Sequence, residues 1–308
     1  MQDTDLTVKA AAAEASADTP LDAPVRRLDS WREMLRHPGI VIGLAILLTL
    51  FALAIFAPLI APYDPFDQQL SRRLLPPFWV EGGNPAYLFG TDHLGRDYLS
   101  RLLYGARISL LIGFGAAGIG CLLGVTLGVC AGYFGGVVDR VVSFLLTCQL
   151  ALPGLLLAMA LVFLIGPSVT VVICVIGLLH WSYYLVVTRA ATQKIRDLEY
   201  VMAARAIGSN ERQIMISEIL PNLLSEIIVI FSLEVGVAVL AEAALSFLGV
   251  GIQPPTPSWG LMIAEGKTSV FLRPWLIILP GIFIFLLVLA ANLVGDGLRD
   301  MMSKKSGR

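Results

Sequence analysis

Three acids, Glu226, Glu234 and Glu242, stand eight residues apart inside an otherwise apolar stretch that follows Pro221. On a helix of about 3.6 residues per turn, each step of eight rotates the side chain by about 80°, so the acids form a slowly turning band. A carboxylate near the centre of a bilayer is costly and faces the protein interior or a water-filled cavity. Glu226 lies near one end of the stretch, where hydration accounts for it. Glu234 is nearest the middle and is a candidate for lining a solute pathway, where it would meet an ammonium group. Glu242 is a second pathway candidate, with a structural hydrogen bond as an equal alternative.

Bond chemistry requires other constellations, and none is assembled. The three histidines, His37, His93 and His180, lie far apart, and neither HExxH nor a metal-spaced acidic pair occurs. No catalytic residue and no metal ligand is assigned, and His180 beside Trp181 reads as an interfacial or packing residue. Gly266-Lys267-Thr268 imitates the end of a phosphate-binding loop. The Walker pattern requires a glycine five residues before Gly266, where Leu261 stands, with Gly260 one place too early. Cys121, Cys130, Cys148 and Cys174 lie in apolar runs without CxxC spacing and read as packing residues, not as disulfide or zinc partners.

A further charged group, Asp92, Arg96 and Asp97, surrounds the HLGRD turn, with Arg101 and Arg107 following along a helix that enters the membrane. These side chains either order that entry helix or offer a docking surface for a solute-binding protein. Between about Arg189 and Pro221, the segment RAATQKIRDLEYVMAARAIGSNERQIMISEILP reads as two short helices around a Gly-Ser-Asn turn. Gly208 supplies positive φ where the first stops, and Asn210 with Gln213 has capping-box spacing for the second. Ala203, Ala204 and Ala206 make the first helix slim enough to enter a partner's groove, and Arg205 is placed to pair with an acid there.

The elements that carry these residues follow from composition. Of 308 residues, 56% are hydrophobic and 15% charged, against about 25% charged in soluble domains. A net charge of −1, with no clustered basic face, excludes a nucleic-acid partner. A crossing needs about 20 apolar residues, so charge-free intervals count the spans. One lies between Arg36 and Asp64 and a second between Arg107 and Asp139. The interval from Arg140 to Arg189 is divided by Gly166-Pro167-Ser168 into a third and a fourth. The fifth runs from Pro221 to about Leu248, and the sixth lies between Arg273 and Asp296. In the second, Ala116, Gly120, Gly124, Gly128 and Gly132 form a row of small side chains for close helix packing.

Six crossings put both ends on one side, together with Arg26, Arg27, Arg32, Arg36, Arg140, Arg189, Lys194, Arg196, Arg205 and Arg212. That excess of positive charge makes both termini cytoplasmic. The chain thus divides into a disordered cytoplasmic tail (1–30), a first transmembrane helix with an amphipathic lead-in (31–60) and an external segment (61–107). A five-helix core (108–295) carrying the cytoplasmic loop 189–221 follows, then a C-terminal tail (296–308). The fold class is all-α and polytopic. The tail, rich in Ala, Asp, Glu, Thr and Pro, does not make a cleavable signal peptide.

MAARAIG, then nine residues, then EILP resembles the cytoplasmic "EAA" loop of ABC-importer permeases, with Met202 where that family usually has Glu. FGTDHLGRDYLSRLLYGARISLLIG (Phe89 to Gly113), AEAALSFLGVGIQPPTPSWGLMI (Ala241 to Ile263) and NLVGDGLRDMM (Asn292 to Met302) are similar to blocks of the C-type permease in the dipeptide, oligopeptide and nickel importers. The likeness runs from about residue 30 to 302. It implies a type I ABC importer permease fold with six transmembrane helices in a bacterial inner membrane. It implies that the chain forms half of a pathway for di- or oligopeptides, with nickel chelates or glutathione as alternatives. The implied partners are a second homologous permease, two ATPase subunits that hold ATP and Mg, a periplasmic solute-binding protein and the lipid bilayer. The chain itself would bind no cofactor. Ala203, Ala204, Arg205, Ala206 and Gly208 would form the ATPase-coupling loop. From another class, a secondary transporter would use Glu234 as its proton site and show an inverted repeat.

Overall fold

The computed structural model describes residues 37–306, with side chains described to Met301. The expected 1–30 tail, the lead-in before His37 and the last two residues lie outside this range. Among the described residues the fold is helical, with one isolated bridge between Thr91 and Asp97.

Helix α1 (Pro38–Ile55) starts on Pro38, whose fixed φ suits a first helical position, and is followed by the short α2 (Ala57–Ile60). The segment 61–97 packs as turns before α3 (Tyr98–Phe134), which is capped by the Asp97 carboxylate accepting from Ser100 N at 2.8 Å. Gly135 ends α3, and α4 (Gly136–Leu150) and α5 (Gly154–Ile165) follow, bent by 86° at the break between them. Pro153, which has no N–H to continue a helical ladder, stands at that break. Ser168 then caps α6 (Val169–Ile195), so Gly166-Pro167-Ser168 divides the long charge-free interval where the sequence indicates.

Helix α7 (Glu199–Ala206) is short, and α8 (Glu211–Phe247) runs unbroken for 37 residues. The second short helix expected before Pro221 is therefore the first turns of the fifth crossing. A wide π-helical stretch, Ile214–Ile219, sits just ahead of Pro221. It accommodates the proline, which lacks an N–H and whose ring would strike a carbonyl one turn earlier in a regular helix. Helix α9 (Trp259–Gly266) and α10 (Trp275–Ser306) complete the chain. Among the described residues five helices are long and apolar enough to cross a membrane alone, and the α4–α5 pair brings the number to six where it is counted as one span bent at its middle.

Close packing of α3 on α6 forms the spine. The small-residue row on α3 faces α6: a Cβ at Gly124 would overlap Trp181 O, one at Gly128 would overlap the Thr188 hydroxyl, and one at Gly132 would lie 2.7 Å from Arg189 O. Backbones approach because no side chain intervenes. Helix α8 packs on the other side of α3 and also against α6, α9 and α10, and α10 in turn carries α1. Trp259 is fully buried where α9 meets α3, its indole donating to Leu102 O at 3.1 Å and its backbone N–H to Ser109 Oγ at 3.0 Å.

Candidate functional site

Titratable residues gather in three places, and the 37-residue α3 separates the first from the last. At the N-terminal end of α3, the HLGRD turn is closed by Asp92, which accepts from Leu94 N at 2.8 Å and Arg96 N at 3.0 Å. Its other oxygen receives Arg96 Nε at 2.6 Å, and Arg96 also reaches Glu265 on α9 at 3.2 Å. Arg101, one turn into α3, donates to Glu265 at 2.9 Å. Asp97 holds both the Ser100 N–H and its hydroxyl, at 2.8 and 2.6 Å. Burial pushes the Asp97 carboxyl above its ordinary range, and the Ser100 bonds act against that shift.

Asp92, Arg96, Asp97 and Arg101 are each at most 2% exposed. They order the entry to α3 and present almost no surface of their own, so the structure favours entry-helix order over the docking alternative. Glu265, 169 residues from Arg96, completes it and was not singled out from the sequence, because no local pattern marks it. Ligand atoms of Asp92, His93 and Glu265 lie within 4.8 Å of one another. Both carboxylates are already matched to guanidinium groups, which satisfies them without an ion.

In the middle of the molecule, α8 presents its acids on different faces. Glu226 is exposed and accepts from Ser225 Oγ at 2.6 Å. Glu242 has no exposed surface and accepts from Ser246 Oγ at 2.7 Å and Ser258 Oγ at 2.9 Å. Because Ser258 also caps α9 by accepting from Leu261 N, Glu242 anchors α9 on α8. This corrects its candidacy as a pathway residue, since it is sealed between helices. Glu234 is 4% exposed and pairs with His180 Nδ1 on α6 at 2.8 Å. His180, read from sequence as packing, is thus the partner of the mid-span acid. It lines a cavity of ≈ 260 Å³ together with Gln149, Ser182 and Tyr183.

At the far end of α3, α7 is held by Val201, which is fully buried among Tyr133, Ile214 and Leu223. Ala204 is half-buried, whereas Ala203, Arg205, Ala206 and Gly208 are exposed, with Met202 and Ile207 beside them 51% and 83% exposed. Arg205 donates to Tyr133 Oη at 3.1 Å and lies 5.4 Å over its ring, while Tyr133 also bonds the Glu211 carboxylate. Within this chain the arginine's partner is this tyrosine. Gly208 takes φ +85°, and the N–H groups of Gly208 and Ser209 close the helix on Arg205 O and Ala204 O, each at 3.1 Å. Asn210 caps the next helix through Arg212 N at 3.2 Å. Arg189 pairs with Asp139 on α4 at 2.7 Å, and Arg196 donates to Gly132 O at 2.8 Å, tying the ends of α3, α4 and α6 together. Gly266 is the last residue of α9 and Lys267-Thr268 open a 3-10 turn after it, with the Lys267 ammonium held by Phe247 O at 3.3 Å.

Residues 124–308 match the family described as binding-protein-dependent transport system inner membrane component, and residues 27–77 match the N-terminal TM domain of oligopeptide transport permease C. The chain is 42% identical over 291 residues to the dipeptide transport system permease protein DppC of Haemophilus influenzae, covering 94% of this chain and 99% of that protein. It is 41% identical to the di/tripeptide transport system permease protein DppC of Pseudomonas aeruginosa, covering 94% and 96%. It is 39% identical to the glutathione transport system permease protein GsiD of Pectobacterium atrosepticum, covering 89% and 90%. Among solved structures, a chain of the MetNI methionine ABC transporter has the same fold, with a TM-score of 0.51 at 16% identity over 64% of this chain and 96% of that one. With its crossings, its α3–α6 spine and both family segments in register, this chain belongs to the binding-protein-dependent transport system inner membrane components, as a C-type permease of the dipeptide and oligopeptide ABC importers.

Proposed function

We propose that this chain is one of two permease subunits of an ATP-driven importer of di- and oligopeptides. The observation that carries the substrate class is its 42% identity, over 99% of the relative's length, to a dipeptide permease. Glutathione, the solute named for a relative at 39% identity, is itself a tripeptide and belongs to the same chemical class. In this reading ATP and Mg are held by two separate ATPase subunits, and a periplasmic solute-binding protein delivers the peptide. Both termini of this chain are cytoplasmic.

The exposed face of α7, from Met202 to Ile207 with Ala203 and Ala206, supports a role as the coupling contact with an ATPase subunit. Val201 and Ala204 tie that helix to the ends of α3 and α8, so a push on α7 is transmitted into the two longest spans. The chain itself makes and breaks no bonds: it carries motion and lines half of a path.

Reconstitution into vesicles tests this. With the second permease, both ATPase subunits and the binding protein, labelled dipeptide accumulates only when ATP is present on the ATPase side. Accumulation by this chain alone under a proton gradient overturns the proposal and establishes a secondary transporter in its place.

A further inference from the structure

Glu234 lies near the middle of α8, where an acid is retained only against an interior partner or a wet cavity. Its Oε2 meets His180 Nδ1 at 2.8 Å, and its other oxygen accepts no hydrogen bond from any described residue. The carboxylate and the imidazole therefore hold each other as a hydrogen-bonded pair between α8 and α6. His180 lines the ≈ 260 Å³ cavity formed where the α4–α5 elbow meets α6 and α8.

A second acceptor lies in the same wall. The Gln149 side-chain amide donates to Leu179 O, which fixes its orientation, and its carbonyl oxygen is buried without a hydrogen-bond partner among the described residues. A buried acceptor left unmet costs about 1–3 kcal/mol, so this oxygen awaits a donor. Ser182 and Tyr183 add hydroxyl groups, Leu155 and Ile176 belong to its apolar part, and no Lys or Arg lines it. A largely apolar pocket with an unmet buried carbonyl and a carboxylate–imidazole pair in its wall fits a cationic hydrogen-bond donor. Its size suits one end of a peptide.

We propose that this cavity is a solute-contact site in the translocation path that takes the α-ammonium end of a peptide, with Gln149 and the His180–Glu234 pair as its acceptor wall. The proposal rests on the peptide-importer reading above. In it Glu234 backs the His180 ring from α8, and the elbow at Pro153 opens the space that a straight third helix would fill.

The test uses the complex purified in detergent with its partner permease and ATPase subunits, without the solute-binding protein. Equilibrium binding of dialanine and of N-acetyl-dialanine is measured by saturation-transfer NMR. The wild-type complex binds dialanine about tenfold more tightly, the discrimination given by one charge-assisted hydrogen bond. Glu234→Gln, an isosteric change that preserves a bond to His180, brings dialanine down to the affinity of the acetylated peptide. Gln149→Leu, checked for assembly by gel filtration, weakens dialanine in the same direction and serves if Glu234→Gln does not assemble. Equal binding of the two peptides, no binding of either, or a preference that survives Glu234→Gln overturns the site. Vesicle import separates the two failures. Import of dialanine by a wild-type complex that shows no preference removes this site alone, whereas a wild-type complex that imports no peptide removes the reading beneath it.

Discussion

The Arg101 guanidinium donates to the Glu265 carboxylate at 2.9 Å, across 164 residues of sequence and with no exposed surface on the arginine. Together with Arg96 and Asp92 it forms a four-charge cluster of zero net charge at the junction of segment 61–97, α3 and α9. Breaking such a pair on one side leaves a buried charge unmatched, which costs about 3–5 kcal/mol, whereas replacing both partners by apolar residues is often neutral. Glu265→Gln should therefore lower the thermal unfolding temperature in detergent sharply, and Arg101→Met with Glu265→Leu should recover most of the loss. A double variant no better than the single one would show that the cluster acts by something other than charge balance.

Gly128 faces the Thr188 hydroxyl and Leu185 O on α6, so Gly128→Val forces the two helices apart. Overpacking of this kind costs about 1–3 kcal/mol or more. Gly118, on the same helix, has nothing within 4 Å of an added Cβ, and Gly118→Ala is the matched control. Detergent thermostability should fall for the first variant and stay unchanged for the second.

At Gly208 an added Cβ meets no atom within 4 Å, so substitution acts on the backbone alone. Its φ of +85° is strained for a side-chain-bearing residue by about 1–2 kcal/mol, and a β-branched residue fares worse. Gly208→Val should reshape the end of α7, leave membrane insertion intact, and uncouple ATP hydrolysis from peptide uptake in reconstituted vesicles. Gly208→Asn, which tolerates positive φ, should keep most of the uptake. Equal uptake by the valine variant and the wild type would argue that this turn carries no motion.

Glu242 is the shared acceptor for Ser246 and for the α9 cap, Ser258. Glu242→Ala leaves both hydroxyls without that acceptor at a cost of about 1–3 kcal/mol, and the loss should appear first in α9. Amide exchange across Trp259–Gly266 should quicken, while exchange in the α3–α6 spine stays slow. Glu242→Gln keeps a carbonyl acceptor and should show a smaller effect.

Much of this architecture was legible along the chain because a bilayer imposes a linear rule: about 20 apolar residues per crossing, with charges at the ends. The charge-free intervals therefore located the crossings, Gly166-Pro167-Ser168 the division between α5 and α6, and the Ala116 to Gly132 row the close-packed face of α3. Gly208 was readable for a similar reason, since the need for positive φ is a property of one residue. The elbow between α4 and α5 was missed because Pro153 permits a break without stating its angle, and the start of α8 because a π-helical turn absorbed Pro221.

The pairings lay beyond such rules. His180 and Glu234 are 54 residues apart, Arg205 and Tyr133 are 72 apart, and Arg96 and Glu265 are 169 apart. Spacing along one helix says which residues share a face, and the membrane says that a mid-span acid needs a partner. Which face meets which helix depends on how the glycine row lets α3 and α6 close and where α8 then lies. That packing turned Glu242 from a pathway candidate into an anchor for α9, and His180 from a packing residue into the partner of the mid-membrane acid.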